Sequence, residues 1–151
     1  MRDRAVAIVI HKKKLLVMWR KEHGKEYYTL PGGGVEANET AEEATLREIA
    51  EETSLKIKID HILYIHHYEN LQNQYYFFCE YIEGEPKLDI NSPEYLNDKG
   101  EYKPMWIPID ELRTTFLYPI EIRDWIIEDY ETGYKTIREV NLKISQLRQT
   151  I

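Results

Sequence analysis

Three glutamates define the chemistry available to this chain. Glu48, Glu51 and Glu52 stand at relative positions i, i+3 and i+4. On a helix, at about 100° per residue, they share an arc of roughly 100° and their carboxylates converge. Like charges at these spacings repel, which costs a helix about a few tenths of a kcal/mol per pair. A hard divalent cation removes that cost. Magnesium takes oxygen ligands, keeps several waters, and binds one or two carboxylates together with substrate phosphates. A solvated acidic helix face is the plainer account of the same three residues. The run Leu30-Pro31-Gly32-Gly33-Gly34 leads within a few residues into this stretch. Glycines let backbone approach a ligand closely, and a carbonyl there can complete a metal shell. A glycine triplet alone fits an ordinary turn equally well.

The elements that must position these groups are legible around them. Thr40 to Thr53 reads as a helix: Thr40 caps it, Glu43 completes a capping box, and Leu46, Ile49, Ala50 and Thr53 repeat at helical spacing. That stripe is expected to be the buried face. Ala41 and Ala44 leave room above the carboxylates on the opposite, open face. Strands are expected at Ala5–Ile10, Leu15–Trp19, Tyr27–Leu30, Lys56–Ile65, Gln74–Ile82 and Lys103–Ile109, with Lys12 to Lys14 as a polar turn. Gly32 to Gly34 is expected to be irregular. A helical turn follows at Asp110–Arg113 and a second long helix at Pro119–Tyr130. After Gly133 the pattern fits both a helix and a strand, and helix is favoured. Strands and helices in this order imply a mixed sheet with helices on its faces. We divide the chain into a domain over 1–131 and an extension over 132–151 that packs on the domain or on a partner subunit; a homodimer is compatible with this.

Bulk properties exclude several functions. The 151 residues fit one domain. No apolar run approaches the roughly 20 residues of a membrane helix, and Met1 to Arg4 does not read as a secretion signal. The single cysteine, Cys79, has no internal partner, so a reducing cytoplasmic setting is expected. The net charge is −7 and the one basic cluster is a turn, so long nucleic acid is not an expected partner. An acidic chain still binds a polyphosphate when divalent cations neutralise both sides.

Gly33, Glu39, Arg47, Glu48, Ile49, Glu51, Glu52 and Leu55 together resemble the Nudix box, G-x5-E-x7-R-E-U-x-E-E-x-G-U, where U is a bulky apolar residue. The last glycine is Ser54 here; it removes no proposed ligand, but a serine held in the left-handed conformation costs about 1 kcal/mol or more. The segment Trp106 to Leu112 and the strand order look like the rest of a Nudix domain. The resemblance implies an α/β/α sandwich of the MutT-like type, a mixed sheet between helices. It also implies a magnesium-dependent pyrophosphohydrolase, manganese being a substitute, that cuts a small nucleoside diphosphate linked to another group. Glu48, Glu51 and Glu52 would hold the metals with the Gly33 carbonyl, and Glu48 is favoured as the base that takes the proton of the attacking water. Glu39 and Arg47 would support the loop, Arg47 pointing away from the metal face and pairing with Glu39, Glu43 or Glu51. Members often add a carboxylate from a late loop; Glu101 is the candidate and Glu94 the runner-up.

The substrate is less legible. The segment Glu69 to Gln74 lacks the proline of ADP-ribose hydrolases. The signatures of the coenzyme A and NADH groups are missing, and no tyrosine stands at the spacing of diadenosine polyphosphate hydrolases. A nucleoside triphosphate or modified nucleotide is left as the favoured substrate. Tyr27, Tyr28, Tyr76 and Phe78 lie on strands where rings can stack on a base, although strand aromatics more often fill core. A non-catalytic nucleotide-sensing Nudix domain is the alternative; it would typically lose a box glutamate. An isomerase of isopentenyl diphosphate would need a reactive cysteine, and Cys79 reads as core.

Overall fold

The computed structural model describes residues 1–87 and 101–147. Its first strand explains the layering. In β1 (Arg4–His11) both faces are apolar: Ala5, Ala7 and Val9 point one way, Val6 and Ile8 the other, and all five are buried. Such a strand needs cover on both sides. It pairs antiparallel with β2 (Lys14–Glu22) through a two-residue turn in which Lys12 and Lys13 both have positive φ, and parallel with β6 (Gln72–Glu83). Outward from β2 lie β3 (Lys25–Thr29) and β8 (Leu117–Tyr118), and β7 (Glu101–Pro108) also pairs with β2. Outward from β6 lie β5 (Lys56–Tyr68) and β9 (Arg138–Leu142). Helix α1 (Ala41–Thr53) closes one core with Ala5, Val9, Leu16 and Phe77. Helix α2 (Ile120–Asp129) and a 3-10 helix (Ile109–Thr114) close the other with Val6, Ile8, Leu63 and Tyr64. The result is the expected α/β/α sandwich around a mixed sheet.

Three local expectations are corrected. Gly32–Gly34 is not irregular; it forms a short strand, β4, antiparallel to β1, and none of its glycines has positive φ. The buried face of α1 is also rotated. Ala44, Thr45, Glu48, Ile49, Glu52 and Thr53 are buried, while Leu46 is 44% exposed and Ala50 is exposed. The helix is therefore turned by about a quarter turn from the face its apolar stripe implies, and two of the three glutamates point inward. The cause is β4: a strand of glycines has no side chains, so carboxylates fit where a leucine face would otherwise pack.

The tail after Gly133 is a strand followed by a helical turn (Ile144–Leu147), not the helix favoured from sequence. Strand β9 pairs parallel with β5, from Tyr64↔Arg138 to Tyr68↔Leu142. The backbone of the β5 edge supplies hydrogen bonds that helical spacing within the tail does not reveal. Arg138 then ties the strand to α2, donating at 2.7 and 3.1 Å to the two oxygens of buried Asp129, which also accepts the Tyr64 hydroxyl at 2.7 Å.

Candidate active site

The site is built where α1 crosses β4. The capping box forms as expected: the Glu43 N–H donates to Thr40 Oγ1 at 3.0 Å and the Thr40 N–H donates to Glu43 Oε1 at 2.8 Å. This fixes where the helix starts and so the phase of the glutamates. One turn apart, Glu48 and Glu52 face the glycine strand. The Gly32 N–H donates to Glu52 Oε1 at 2.8 Å. A Cβ on Gly33 would sit 2.3 Å from Glu48 Oε1, and one on Gly32 would sit 2.4 Å from the Ala5 carbonyl oxygen. The glycines are required by close approach, not by unusual backbone angles.

Arginines organise the charges. Arg47 grips Glu39 with both ends of its fork, at 2.6 and 3.1 Å, donates to the Gly34 carbonyl at 3.1 Å, and donates to Glu48 Oε1 at 2.8 Å. Its Nη1 also lies 3.6 Å from Glu51 Oε2. The expectation that Arg47 points away from the carboxylates is thus overturned: the long side chain reaches back over the helix surface, and one guanidinium serves the loop and the helix together. The Arg47 hydrogen bonds, helped by the Glu36 N–H, hold the Glu39 carboxyl down at about 2, and the Glu39 bond pushes the Arg47 guanidinium further up. Arg20 of β2 approaches Glu52 Oε2 at 3.6 Å.

Two features fit a hard cation. Glu48 is only 5% exposed, and its Oε2 has no hydrogen-bond partner. A buried, unpartnered carboxylate oxygen is costly unless a further positive group serves it. At Gly33 the missing side chain makes room for that carboxylate, which occupies the place a Cβ would take. Glu51 flanks it, half-buried, and Glu52 is 2% exposed. Among the described residues no three histidine, cysteine or carboxylate side chains enclose a common point; the three glutamates instead each have an arginine close by.

Beside the carboxylates lies an open cleft of about 230 Å³ whose lining includes Arg4, Arg20, Gln72, Gln74, Tyr76 and Tyr118. Arg20 belongs to both, with its Nε donating to Thr29 Oγ1 at 3.0 Å. Of the four aromatic candidates only Tyr76 lines the cleft. Tyr27 is buried, its hydroxyl donating to Glu22 at 3.1 Å. Tyr28 packs on the α2-side core, and Phe78 stacks on Tyr134 with ring centroids 5.0 Å apart. Glu101 is not brought to the carboxylates: it is exposed, opposite Lys21, and strand alternation turns it from the face of the Arg20–Tyr102 pair. Glu94 lies outside the described residues. Arg4, Arg20, Gln72 and Gln74 were not picked out by sequence reasoning. The one available signal was polar residues at alternate, core-facing positions of β6. Cys79 is buried, and burial pushes its thiol up to about 12, which removes it as a reactive group.

Comparison with known proteins agrees with this architecture. A curated RNA pyrophosphohydrolase of Histophilus somni (strain 2336) is 29% identical over 130 residues, covering 72% of this chain and 67% of that protein. One of Pasteurella multocida (strain Pm70) is 30% identical over 128 residues, covering 71% and 64%. The chain thus spans about two thirds of the length of these relatives. Among solved structures, a NUDIX hydrolase from Nitrosomonas europaea superposes with a TM-score of 0.69 at 22% identity, covering 90% of this chain and 92% of that one. An ADP-ribose pyrophosphatase from Streptococcus suis 89-1591 superposes with a TM-score of 0.67 at 15% identity, covering 92% and 98%. The family model of the NUDIX domain matches residues 1–126, a span that takes in the glycine strand, the carboxylate helix and the cleft, and the chain belongs to the Nudix family.

Proposed function

We propose that this chain hydrolyses a phosphoric anhydride in a small nucleotide, with magnesium as the cation and manganese able to substitute. The observation that carries the reading is Glu48: a buried carboxylate pressed against Gly33, with Oε2 unpartnered and Glu51 and Glu52 on adjoining turns. Glu48, Glu51 and Glu52 are the ligands. Held by these carboxylates, a divalent cation would supply charge neutralisation for the diphosphate and lower the pKa of the attacking water. Arg47, tied to Glu39 and Gly34, keeps the Glu48 carboxylate against the glycine strand. Arg20 supplies positive charge at the boundary of carboxylates and cleft, where it orients the diphosphate. The water oxygen attacks phosphorus, the bridging P–O bond breaks with its electron pair leaving on the displaced phosphate, and the Glu48 carboxylate takes the water proton. A sensor without turnover has no need of three intact box glutamates, so catalysis is the favoured reading.

A second reading follows from the relatives' names: the substrate is the 5′ end of an RNA carrying a triphosphate. The cleft also suits this, because only the terminal nucleotide need enter it. Release of phosphate or diphosphate from a panel of nucleoside triphosphates, nucleotide sugars and a short 5′-triphosphorylated RNA tests both. Activity on free nucleotides that requires magnesium or manganese supports the first reading, and a strong preference for the RNA supports the second. Full turnover in excess chelator contradicts the mechanism.

A further inference from the structure

The α2-side face of β6 changes character along its length. Gln72, Gln74, Tyr76 and Phe78 alternate on it, and the polar end underlies the cleft. Gln74 is 2% exposed and Gln72 8%. Buried amides are unfavourable unless hydrogen-bonded, and here they form a chain. The Tyr76 hydroxyl donates to Gln74 Oε1 at 3.1 Å, Gln74 Nε2 donates to Gln72 Oε1 at 2.8 Å, and Gln72 Nε2 donates to the Arg2 carbonyl at 2.8 Å. An amide can donate twice from nitrogen and accept twice at oxygen. The two bonds of Gln74 therefore use half its capacity and lock its orientation, leaving one N–H and one acceptor position unused. Sheet packing alone does not require amides here: beyond them the same face continues with Tyr76 and Phe78, which pack in the core.

We infer that Gln74 is a specificity-determining residue that reads a nucleobase by one donated and one accepted hydrogen bond. The inference rests on the hydrolase reading above. The floor is neutral, which suits a heterocycle rather than a phosphate, while the positive charge of the cleft sits at Arg4 and Arg20. Glutamine pairs in this bidentate way with an edge that sets a donor beside an acceptor, as adenine does. Arg20 reaches Glu52 from the same cleft, so a base on Gln74 would leave its diphosphate pointing toward the carboxylates. The volume of about 230 Å³ is below the roughly 300–1,000 Å³ of pockets that enclose a whole drug-sized ligand, so the cleft takes one part of a nucleotide.

The test compares kcat/KM for the four ribonucleoside triphosphates with that for inorganic tripolyphosphate, which has the anhydride but no base. Wild type, Gln74→Leu and Gln74→Met are measured, with melting temperatures to confirm folding. The wild type should prefer at least one nucleotide over tripolyphosphate. In both variants kcat/KM for that nucleotide should fall about 10- to 100-fold further than for tripolyphosphate, a ratio that a purely structural defect would not move. If the enzyme turns over nucleotides and the ratio is unchanged in a folded variant, the inference fails and the hydrolase reading stands. If nothing is hydrolysed, the hydrolase reading fails, and calorimetry with the four nucleosides decides: binding lost in Gln74→Leu supports base reading, whereas equal binding or none overturns it.

Discussion

Gly32 and Gly33 are adjacent and chemically identical, yet substituting them should have different consequences. A Cβ on Gly32 meets the Ala5 carbonyl and the Val6 backbone, which cannot swing aside, whereas one on Gly33 meets only the end of the Glu48 side chain. Gly32→Ala is predicted to destabilise the fold by about 1–3 kcal/mol. Gly33→Ala should cost less stability but displace the Glu48 carboxylate, lowering turnover on the order of 10²-fold. Thermal melts paired with turnover separate the two; equal activity losses at equal stability would contradict the placement of Glu48. His66 and His67 give a second test at this scale. His66 is 1% exposed, ringed by Tyr68, Tyr76 and Trp125, with Glu121 Oε1 3.1 Å from Nε2 but not aligned as a hydrogen bond. Burial pushes it down to about 4. The unfolded chain therefore takes up this proton first, and stability is lost as pH falls from about 6.5 toward 4, by about 3 kcal/mol at the acid end. His67 is shifted upward by its hydrogen bond to Glu139 on β9, so its contribution has the opposite sign: present below about 6.5 and lost as pH rises through its folded value. His66→Phe should flatten the acid limb of melting temperature against pH, and His67→Ala should remove the decline on the neutral side. An unchanged acid limb in His66→Phe would contradict a neutral buried ring.

The carboxylate helix shows how much of an element a sequence exposes. Its ends were legible because capping is local chemistry: Thr40, Glu43 and the left-handed position after Thr53 act within four residues. Ser54 does take that conformation, with φ 63° and its N–H donating to Ala50 at 3.1 Å. Ser54→Gly is accordingly predicted to stabilise the fold by about 1 kcal/mol and leave turnover unchanged; a large loss of turnover in a folded variant would reveal a role for the hydroxyl. The face the helix buries was not legible, because Leu46 and Ala50 look like core until the glycine strand beneath the glutamates is seen to have no side chains. The consequence reaches beyond packing: Glu48 and Glu52 are buried beside arginines, so their mutual repulsion is not the exposed-helix effect that spacing alone suggests. The tail was misread for a related reason, since its strand depends on the β5 edge some 70 positions away. The cleft was missed because Gln72 and Gln74 look like surface residues in a list of amino acids and become floor only once Arg4, Arg20 and Tyr118 gather around them.

Across the whole molecule, the layered fold and the candidate site were set by different parts of the sequence. Alternating strands and two amphipathic helices specify the sandwich, while one 23-residue stretch from Gly33 to Leu55 carries the glutamates and their supports. The net charge of −7 makes the arginines here conspicuous: Arg20 and Arg47 lie against the glutamates, and Arg4 and Arg20 line the cleft. No helix among the described residues is long and apolar enough to cross a membrane.

The central claim is that Glu48, Glu51 and Glu52 hold the cation that permits anhydride hydrolysis. Its most direct test is magnesium-dependent turnover of the best nucleotide by Glu51→Gln and Glu52→Gln, with Glu43→Gln as control. Glu43 is exposed and serves the helix cap, a bond glutamine can still accept. Turnover should fall on the order of 10²-fold or more in Glu51→Gln and Glu52→Gln and change little in the control. Normal turnover in both Glu51→Gln and Glu52→Gln would contradict the claim and reduce the carboxylate cluster to an arginine-paired structural feature.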